Sequence, residues 1–167
     1  MTPAELNAMD RADFVDAVGW TFEHSPWVAE RSWEQRPFDT PSALHSAMVA
    51  SVARASLAEQ MALIRAHPDL GARARMSAAS EGEQSGAGLD RLDETEFERL
   101  HGLNTAYREK FGFPFIYAVR GASPRDILEA LESRLDADPA SERATALDQI
   151  YRIAQFRLET LFSCTIS

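Results

Sequence analysis

The sequence contains one cysteine, Cys164, four histidines and no run of basic residues. A lone cysteine cannot form an intramolecular disulfide, and the histidines lack the Cys/His spacing of a structural zinc site. We therefore expect a reducing compartment and no metal. The formal charge is -9 and the pI is near 4.9. Because neutralising phosphates requires a clustered Lys/Arg surface, this charge argues against a nucleic-acid partner.

Long apolar segments and a secretory signal are also missing. No uninterrupted apolar stretch approaches the roughly 20 residues that a membrane helix requires. The first residues, MTPAELNAMDRADF, are polar and acidic, without the cationic start and apolar core of a signal peptide. The last three residues do not match the Ser-Lys-Leu peroxisomal address. We expect a cytoplasmic protein without a membrane partner.

The chain does have enough apolar residues for one core. It has 167 residues, of which 45% are hydrophobic and 26% charged. These values are typical of a single globular domain, which we predict to cover residues 1–167. Four aromatic residues in the first quarter of the chain belong either to the core or to a dimer surface. Periodicity does not separate the two, and we expect the core. These four residues are Trp20, Trp27, Trp33 and Phe38.

Signals for helix starts recur along the chain. Each consists of a capping residue, often followed by proline or by an acid. They occur at Thr2-Pro3, Ser25-Pro26, Thr40-Pro41, Ser56, Asp93 and Ser123-Pro124. Residues of a mainly apolar stripe follow at helical spacing, as in the series Phe97, Leu100, Asn104, Tyr107 and Phe111 after Asp93. The sequence predicts an all-α fold, a single-domain bundle of about seven to eight helices.

Two segments differ from this helical pattern. Phe113–Val119 (FPFIYAV) is aromatic and β-branched, which is typical of a strand, but one isolated strand has no partner to pair with. We predict that it forms a buried connection or a short helix. The segment Gly71–Gly88 is rich in Gly, Ser and Ala. It separates two predicted helices, and a functional loop is expected there.

His67 is predicted to lie at a helix end. Pro68 disfavours helical geometry in the residue before it and has no backbone N–H, so the helix begun at Ser56 should end near Ala66. A histidine at this position can simply interact with the helix dipole. His-Pro-Asp is also the signature of J-domain co-chaperones. That family needs a strongly basic preceding helix, whereas this helix has only Arg65 near its end.

Two further groups of polar residues have alternative roles. Ser80 and Glu83 have the Ser-x-x-Glu spacing of a capping box, but with Gln84 they can also bind a polar ligand. Arg157 lies near the apolar stripe of the last predicted helix. It can hold a carboxylate in a bidentate fork, or it can be a snorkelling or ion-paired structural arginine. The residues by themselves leave these alternatives open.

Four motifs occur in one order along the chain. They are LIRAHPDLGARA, SxxEQxxAGLDRL, FxRLHxLNxAYRExFGFPFIYAVRG and IxRIAxxRLETL. This series resembles the OHCU decarboxylases, which act on 2-oxo-4-hydroxy-4-carboxy-5-ureidoimidazoline (OHCU) in urate degradation. The resemblance extends from about Phe14 to Phe162 and includes the segment FEHSPWVAERSWEQRPF.

The resemblance implies a role for each candidate position. It makes His67 the catalytic acid/base, assigns Glu83 to catalysis and to substrate contact, and places Pro68 against the substrate. Arg157 matches the substrate-binding arginine of the last helix. The other implied substrate contacts are Ser80, Gln84, Phe115, Ile116, Tyr117, Ala118 and Val119, of which the last five act largely through the backbone.

The family resemblance also implies an all-helical homodimer without a cofactor. The implied reaction is decarboxylation of a small anionic ureidoimidazoline to (S)-allantoin. Two alternatives are open. An enzyme for a related ureide would keep His67 on the same scaffold but change the pocket around residues 115–119. A non-catalytic helical interaction module would have no inward-facing pocket.

Overall fold

The computed structural model describes residues 1–70 and 92–163. Within these ranges the chain forms eight α-helices and no strand, which confirms the all-α prediction. The helices are α1 (Pro3–Ala8), α2 (Arg11–Val18), α3 (Trp27–Trp33), α4 (Pro41–Ala53), α5 (Leu57–Ala66), α6 (Glu94–Phe111), α7 (Pro124–Arg134) and α8 (Pro139–Ser163). A short 3₁₀ turn, Gly19–Thr21, follows α2.

Most of the predicted helix starts are capped as expected. In each case a side-chain oxygen accepts the backbone N–H three residues later, a group with no partner inside the helix. The capping residues are Thr2, Thr40, Ser56, Asp93 and Ser123. Ser25 is the exception: α3 begins at Trp27 without a side-chain cap, and the Ser25 hydroxyl donates to the Glu23 carbonyl instead.

Contacts within the chain define two compact units. Unit 1 consists of Met1–Ala66 and the chain from Ile150 onward, and unit 2 consists of His67–Gln149. One boundary therefore follows α5 directly, and the other falls inside α8. A single domain over residues 1–167 stays a prediction.

The core of unit 1 combines residues from α1 to α5 with residues from the end of α8. Its members include Leu6, Phe14, Phe22, Val28, Leu44, Met48, Leu63, Ile150 and Leu158. Phe38 joins this core and stacks on Phe14 with 6.2 Å between the ring centroids. Trp27 and Trp33 are only partly buried. The expected core position is wrong for Trp20, which is 50% exposed. Its indole N–H donates to the Ala17 carbonyl, and this bond holds the ring at the end of α2.

No single helix in the described ranges is long and apolar enough to cross a membrane. Helices α4 and α5 satisfy such a test of length and composition only as a pair, and the pair is bent by 119° at its junction. Both helices contribute buried side chains to unit 1, among them Met48 and Ile64.

In unit 2, the segment Phe113–Val119 connects α6 to the turn before α7 without regular secondary structure. Helix α6 ends at Phe111 and is capped by Gly112, which has the left-handed conformation (φ 72°) that glycine adopts without a steric penalty. Phe115 and Ile116 are then almost completely buried. The prediction of a buried connection is confirmed, and the alternative of a short helix is wrong.

Candidate active site

His67 is the first residue after α5. The helix ends at Ala66, as the following Pro68 predicts. The histidine is 7% exposed, whereas Pro68 is exposed. Because this imidazole is largely withdrawn from water, proton transfer to or from it is protected from bulk solvent.

Two side chains of α6 hold Asp69, the second residue after His67. Asn104 Nδ2 donates to Asp69 Oδ1 at 2.6 Å, and Arg108 Nη1 donates to Asp69 Oδ2 at 2.8 Å. Asn104 and Arg108 are four residues apart and therefore share one face of α6. Both carboxylate oxygens of Asp69 are bonded to one helix, which fixes the orientation of the carboxylate.

The backbone of the connection after α6 is also held by side chains. Arg134 Nη1 donates to the Ile116 carbonyl at 2.7 Å. The Ala118 N–H donates to Gln149 Oε1 at 2.9 Å. Since Arg134 ends α7 and Gln149 lies in α8, two different helices fix the path of Phe115–Val119.

Arg134 is itself held by a buried acid. Glu142 is 1% exposed, accepts a hydrogen bond from Arg134 Nε at 2.6 Å and accepts another from the Tyr107 hydroxyl. The guanidinium carbon of Arg134 lies 4.4 Å from the centroid of the Phe115 ring. Arg134 is in the last turn of α7 and Glu142 in the first turn of α8, where the helix dipoles favour their charges.

The acid also affects the titration of Tyr107. Burial, with the hydrogen bond to Glu142, raises the pKa of Tyr107 far above its usual value near 10. Above pH 10 the unfolded chain releases this proton while the folded chain keeps it, so the free energy of unfolding falls as pH rises.

We expect Tyr107→Phe to make this fall in the free energy of unfolding shallower in urea unfolding measured between pH 8 and pH 11. Equal slopes for the two proteins would contradict the assignment.

Arg157 forms an ion pair within unit 1. Its Nη1 donates to Glu23 Oε2 at 3.0 Å and to the carbonyls of Thr21 and Trp20 at 3.3 and 3.4 Å. The side chain is mostly buried. Of the alternatives left open by the sequence, the structural ion pair is therefore present. A snorkelling arginine, with its guanidinium surrounded by water, is not. Glu23 belongs to the FEHSPW segment, and sequence analysis did not identify it as a partner.

The predicted site residues fall into three groups. His67, Pro68 and Phe115–Val119 lie in unit 2, and Arg157 lies in unit 1. The remaining candidates, Ser80, Glu83 and Gln84, lie outside the described residues together with the segment Gly71–Gly88. Their roles stay predictions, including the capping-box alternative. In the part of the chain that the structure describes, no three His, Cys, Asp or Glu side chains are grouped as metal ligands.

Within unit 2, one turn of α6 supports both elements of the predicted site. Asn104 and Arg108 bond to Asp69 beside His67, and Tyr107 bonds to the acid that holds Arg134 on the Ile116 carbonyl. Sequence analysis did not identify these supporting residues. The available signal was a polar residue among apolar ones on a core-facing stripe, as with Asn104 and Glu142, because such residues are rarely buried without a specific partner.

Comparison with known proteins gives matches over nearly the whole chain. A family model described as OHCU decarboxylase matches residues 7–159. The 2-oxo-4-hydroxy-4-carboxy-5-ureidoimidazoline decarboxylase of Haloferax volcanii is 47% identical over 98% of this chain and 97% of its own. The uric acid degradation bifunctional protein PucL of Bacillus subtilis is 44% identical over 97% of this chain, which spans 33% of that longer protein.

The fold has a solved counterpart. A crystal structure of (S)-allantoin synthase superposes with a TM-score of 0.81 and 34% sequence identity. The match covers 96% of this chain and 54% of that one. The family model includes His67, Phe115–Val119 and Arg157, since all of them lie between residues 7 and 159. The chain is thus 47% identical to a named decarboxylase over nearly its full length, and the predicted site elements lie inside the range that the family model matches. The chain belongs to the OHCU decarboxylase family.

Proposed function

We propose that this protein decarboxylates OHCU to (S)-allantoin in urate degradation, as a carboxy-lyase. The observation that carries the proposal is the buried His67 at the end of α5, in a chain that is 47% identical to a decarboxylase named for this substrate. Structural similarity to a protein named (S)-allantoin synthase supports the identity of the product.

The substrate supplies its own electron sink. Its carboxylate is attached to a ring carbon that bears a hydroxyl and adjoins a C=N bond. When the carbon–carboxylate bond breaks, its electron pair forms a C=C bond, and the C=N π pair moves to nitrogen, which takes a proton. The adjacent carbon then takes a proton, and the hydroxyl loses one to become the carbonyl of allantoin. The protein must add orientation, exclusion of water and proton transfer on one face.

We assign the proton transfer to His67. An imidazole titrates near neutrality and can both donate and accept a proton at physiological pH. In this proposal it is hydrogen-bonded to the substrate hydroxyl or to the leaving carboxylate. Glu83 orients either the ureido N–H groups or His67 itself, and Ser80 and Gln84 bind the ring and the ureido group. The family resemblance supports these three assignments.

The backbone of Phe115–Val119 is proposed to bind the substrate's polar edge. Two of its groups are already engaged, the Ile116 carbonyl with Arg134 and the Ala118 N–H with Gln149. The N–H and carbonyl of Tyr117 make no hydrogen bond to residues 1–70 or 92–163. These two groups are the donor and the acceptor that an amide or ureido group requires.

Arg157 is proposed to attract the substrate carboxylate. A guanidinium presents N–H donors in a planar fork that matches the geometry of a carboxylate, and the family resemblance supports this role. The net charge of -9 does not prevent this, because distant surface charges are screened over about 8 Å at physiological ionic strength.

A homodimer and a cytoplasmic location are further parts of the proposal, and the family resemblance supports the homodimer.

Circular dichroism during urate breakdown tests the function. OHCU is generated in situ by oxidising urate and hydrolysing the product, with the protein, without it, or with heat-denatured protein. We expect a rapid (S)-allantoin signal with the folded protein and slow formation of racemate in both controls. Unchanged decay with folded protein would contradict the proposal and favour a related ureide as substrate or a non-catalytic interaction module.

A further inference from the structure

The Asp69 carboxylate is held by a pair of side chains, called the clamp below. The clamp has no part in the proton chemistry described above, yet it lies next to the proposed catalytic histidine. Two residues of α6, Asn104 and Arg108, engage both oxygens of the Asp69 carboxylate. The path from this carboxylate to His67 is short and stiff, because Pro68 stands between them and has a fixed φ. Leu70 is buried on the other side of Asp69. Few torsions are left through which the His67 backbone could move independently of the carboxylate.

The two clamp residues differ in surroundings. Asn104 is 5% exposed, whereas the Arg108 side chain is 54% exposed. An ion pair with an exposed partner contributes little, since water and salt screen it and the long side chain must be ordered. Water and salt compete much less with a neutral donor in a buried position. Asn104 is therefore the dominant of the two contacts.

The amide at position 104 is a costly choice for stability alone. Asn104 Oδ1 is buried and accepts no hydrogen bond from the residues that the structure describes. A buried amide oxygen without a donor costs free energy, and leucine would fill the same position on the apolar stripe without this cost. What asparagine supplies and leucine cannot is the N–H that holds the Asp69 carboxylate.

We infer that Asn104 is a positioning residue, which acts through Asp69 to hold the His67 imidazole in the orientation that proton transfer requires. The inference rests on the proposed function of His67. It adds a residue that touches neither the histidine nor the substrate in this assignment, and its effect is on turnover and not on substrate binding. Misplacement of a reacting group by about 1 Å can cost about 100-fold in rate.

The test replaces Asn104 with leucine, which has the same number and branching of side-chain heavy atoms but no donor. We expect kcat for OHCU to fall about 10- to 100-fold and KM to change less than about threefold. The melting temperature should fall modestly, because the Asp69 carboxylate, which is 10% exposed, loses one donor. The matched control is Thr105→Leu, on the exposed face of the same helix turn, with kcat and KM unchanged. A lower melting temperature with normal kcat would show a merely structural role and overturn the inference.

Two further measurements separate this inference from the proposed function. Asn104→Leu combined with Asp69→Ala should lower kcat no more than the stronger single variant, because both remove one interaction; multiplicative losses would overturn the inference. In ¹H–¹³C NMR spectra, the ring signal of His67, one of four histidines, should shift or broaden in Asn104→Leu while those of His24 and His45 stay in place. This readout needs no activity, so it holds even if wild-type protein fails to accelerate OHCU decay. An unchanged His67 signal would overturn the inference.

Discussion

Replacing His67 with alanine is expected to lower the turnover of OHCU by roughly 10²–10⁴-fold, the usual contribution of general acid–base catalysis. The imidazole is buried at the end of α5 and is the proposed carrier of the proton. Substrate binding should be weakened much less than turnover, because most of the proposed binding groups lie elsewhere, on Arg157 and the backbone near Tyr117. Stopped-flow decay of freshly generated OHCU at several concentrations separates kcat from KM.

Two variants control for damage to the fold. His67→Gln keeps a polar side chain of similar length but cannot exchange a proton near neutral pH, and it should lose as much turnover as the alanine variant. His101→Ala makes the same alanine change on the exposed face of α6 and should keep normal turnover. Near-normal turnover in both His67 variants would show that another group transfers the proton.

Removing Glu142 is expected to be the most destabilising single substitution considered. Glu142→Ala leaves the guanidinium of Arg134 with its charge uncompensated at a site where the side chain is 12% exposed. Breaking a buried ion pair from one side costs about 3–5 kcal/mol, since the remaining charge stays desolvated. The Tyr107 hydroxyl loses its acceptor at the same time. Urea unfolding at pH 7 measures the loss.

The chain offers a matched surface pair as the control. Arg99 and Glu132 form an ion pair between α6 and α7, and both side chains are about half exposed. Glu132→Ala should cost less than about 1 kcal/mol, as exposed pairs do. Replacing both buried partners, Arg134→Met with Glu142→Leu, should recover much of the loss, since no charge is left unpaired. Equal costs for Glu142→Ala and Glu132→Ala would contradict the role assigned to the buried pair.

Loss of Glu142 is also expected to weaken substrate binding. The acid holds Arg134, and Arg134 holds the Ile116 carbonyl, so the path of Phe115–Val119 depends on it. KM should therefore rise in any Glu142→Ala protein that remains folded. The stability loss and the KM change are separable, because KM is measured at a temperature well below unfolding.

Local sequence was sufficient for the features that depend on a few neighbouring residues. Thr2, Thr40 and Ser123 cap helices because each offers an oxygen to a backbone N–H three residues later. Pro68 ends α5 because it lacks a donor and restricts the preceding residue. The position of His67 at a helix end, central to the site, follows from this short-range effect.

Local sequence patterns did not predict which polar residues pair with each other over long sequence separations. Arg157 meets Glu23 across 134 positions of sequence, and Asn104 meets Asp69 across 35. Helical periodicity indicates that such a residue faces inward, but it does not indicate which partner it finds there. The exposure of Trp20 was missed for a related reason, since hydrophobicity alone does not show which side of a short turn faces the core.

The sequence by itself determined the helices, their ends and the order of the site motifs, since capping, proline geometry and periodicity act over one or two turns. Only the tertiary structure decided which polar groups are buried together. It placed Asn104 against Asp69 and Glu142 against Arg134 and Tyr107. The physical reason is that a buried polar group requires a partner with the right geometry. That partner is chosen by the packing of helices far apart in the chain.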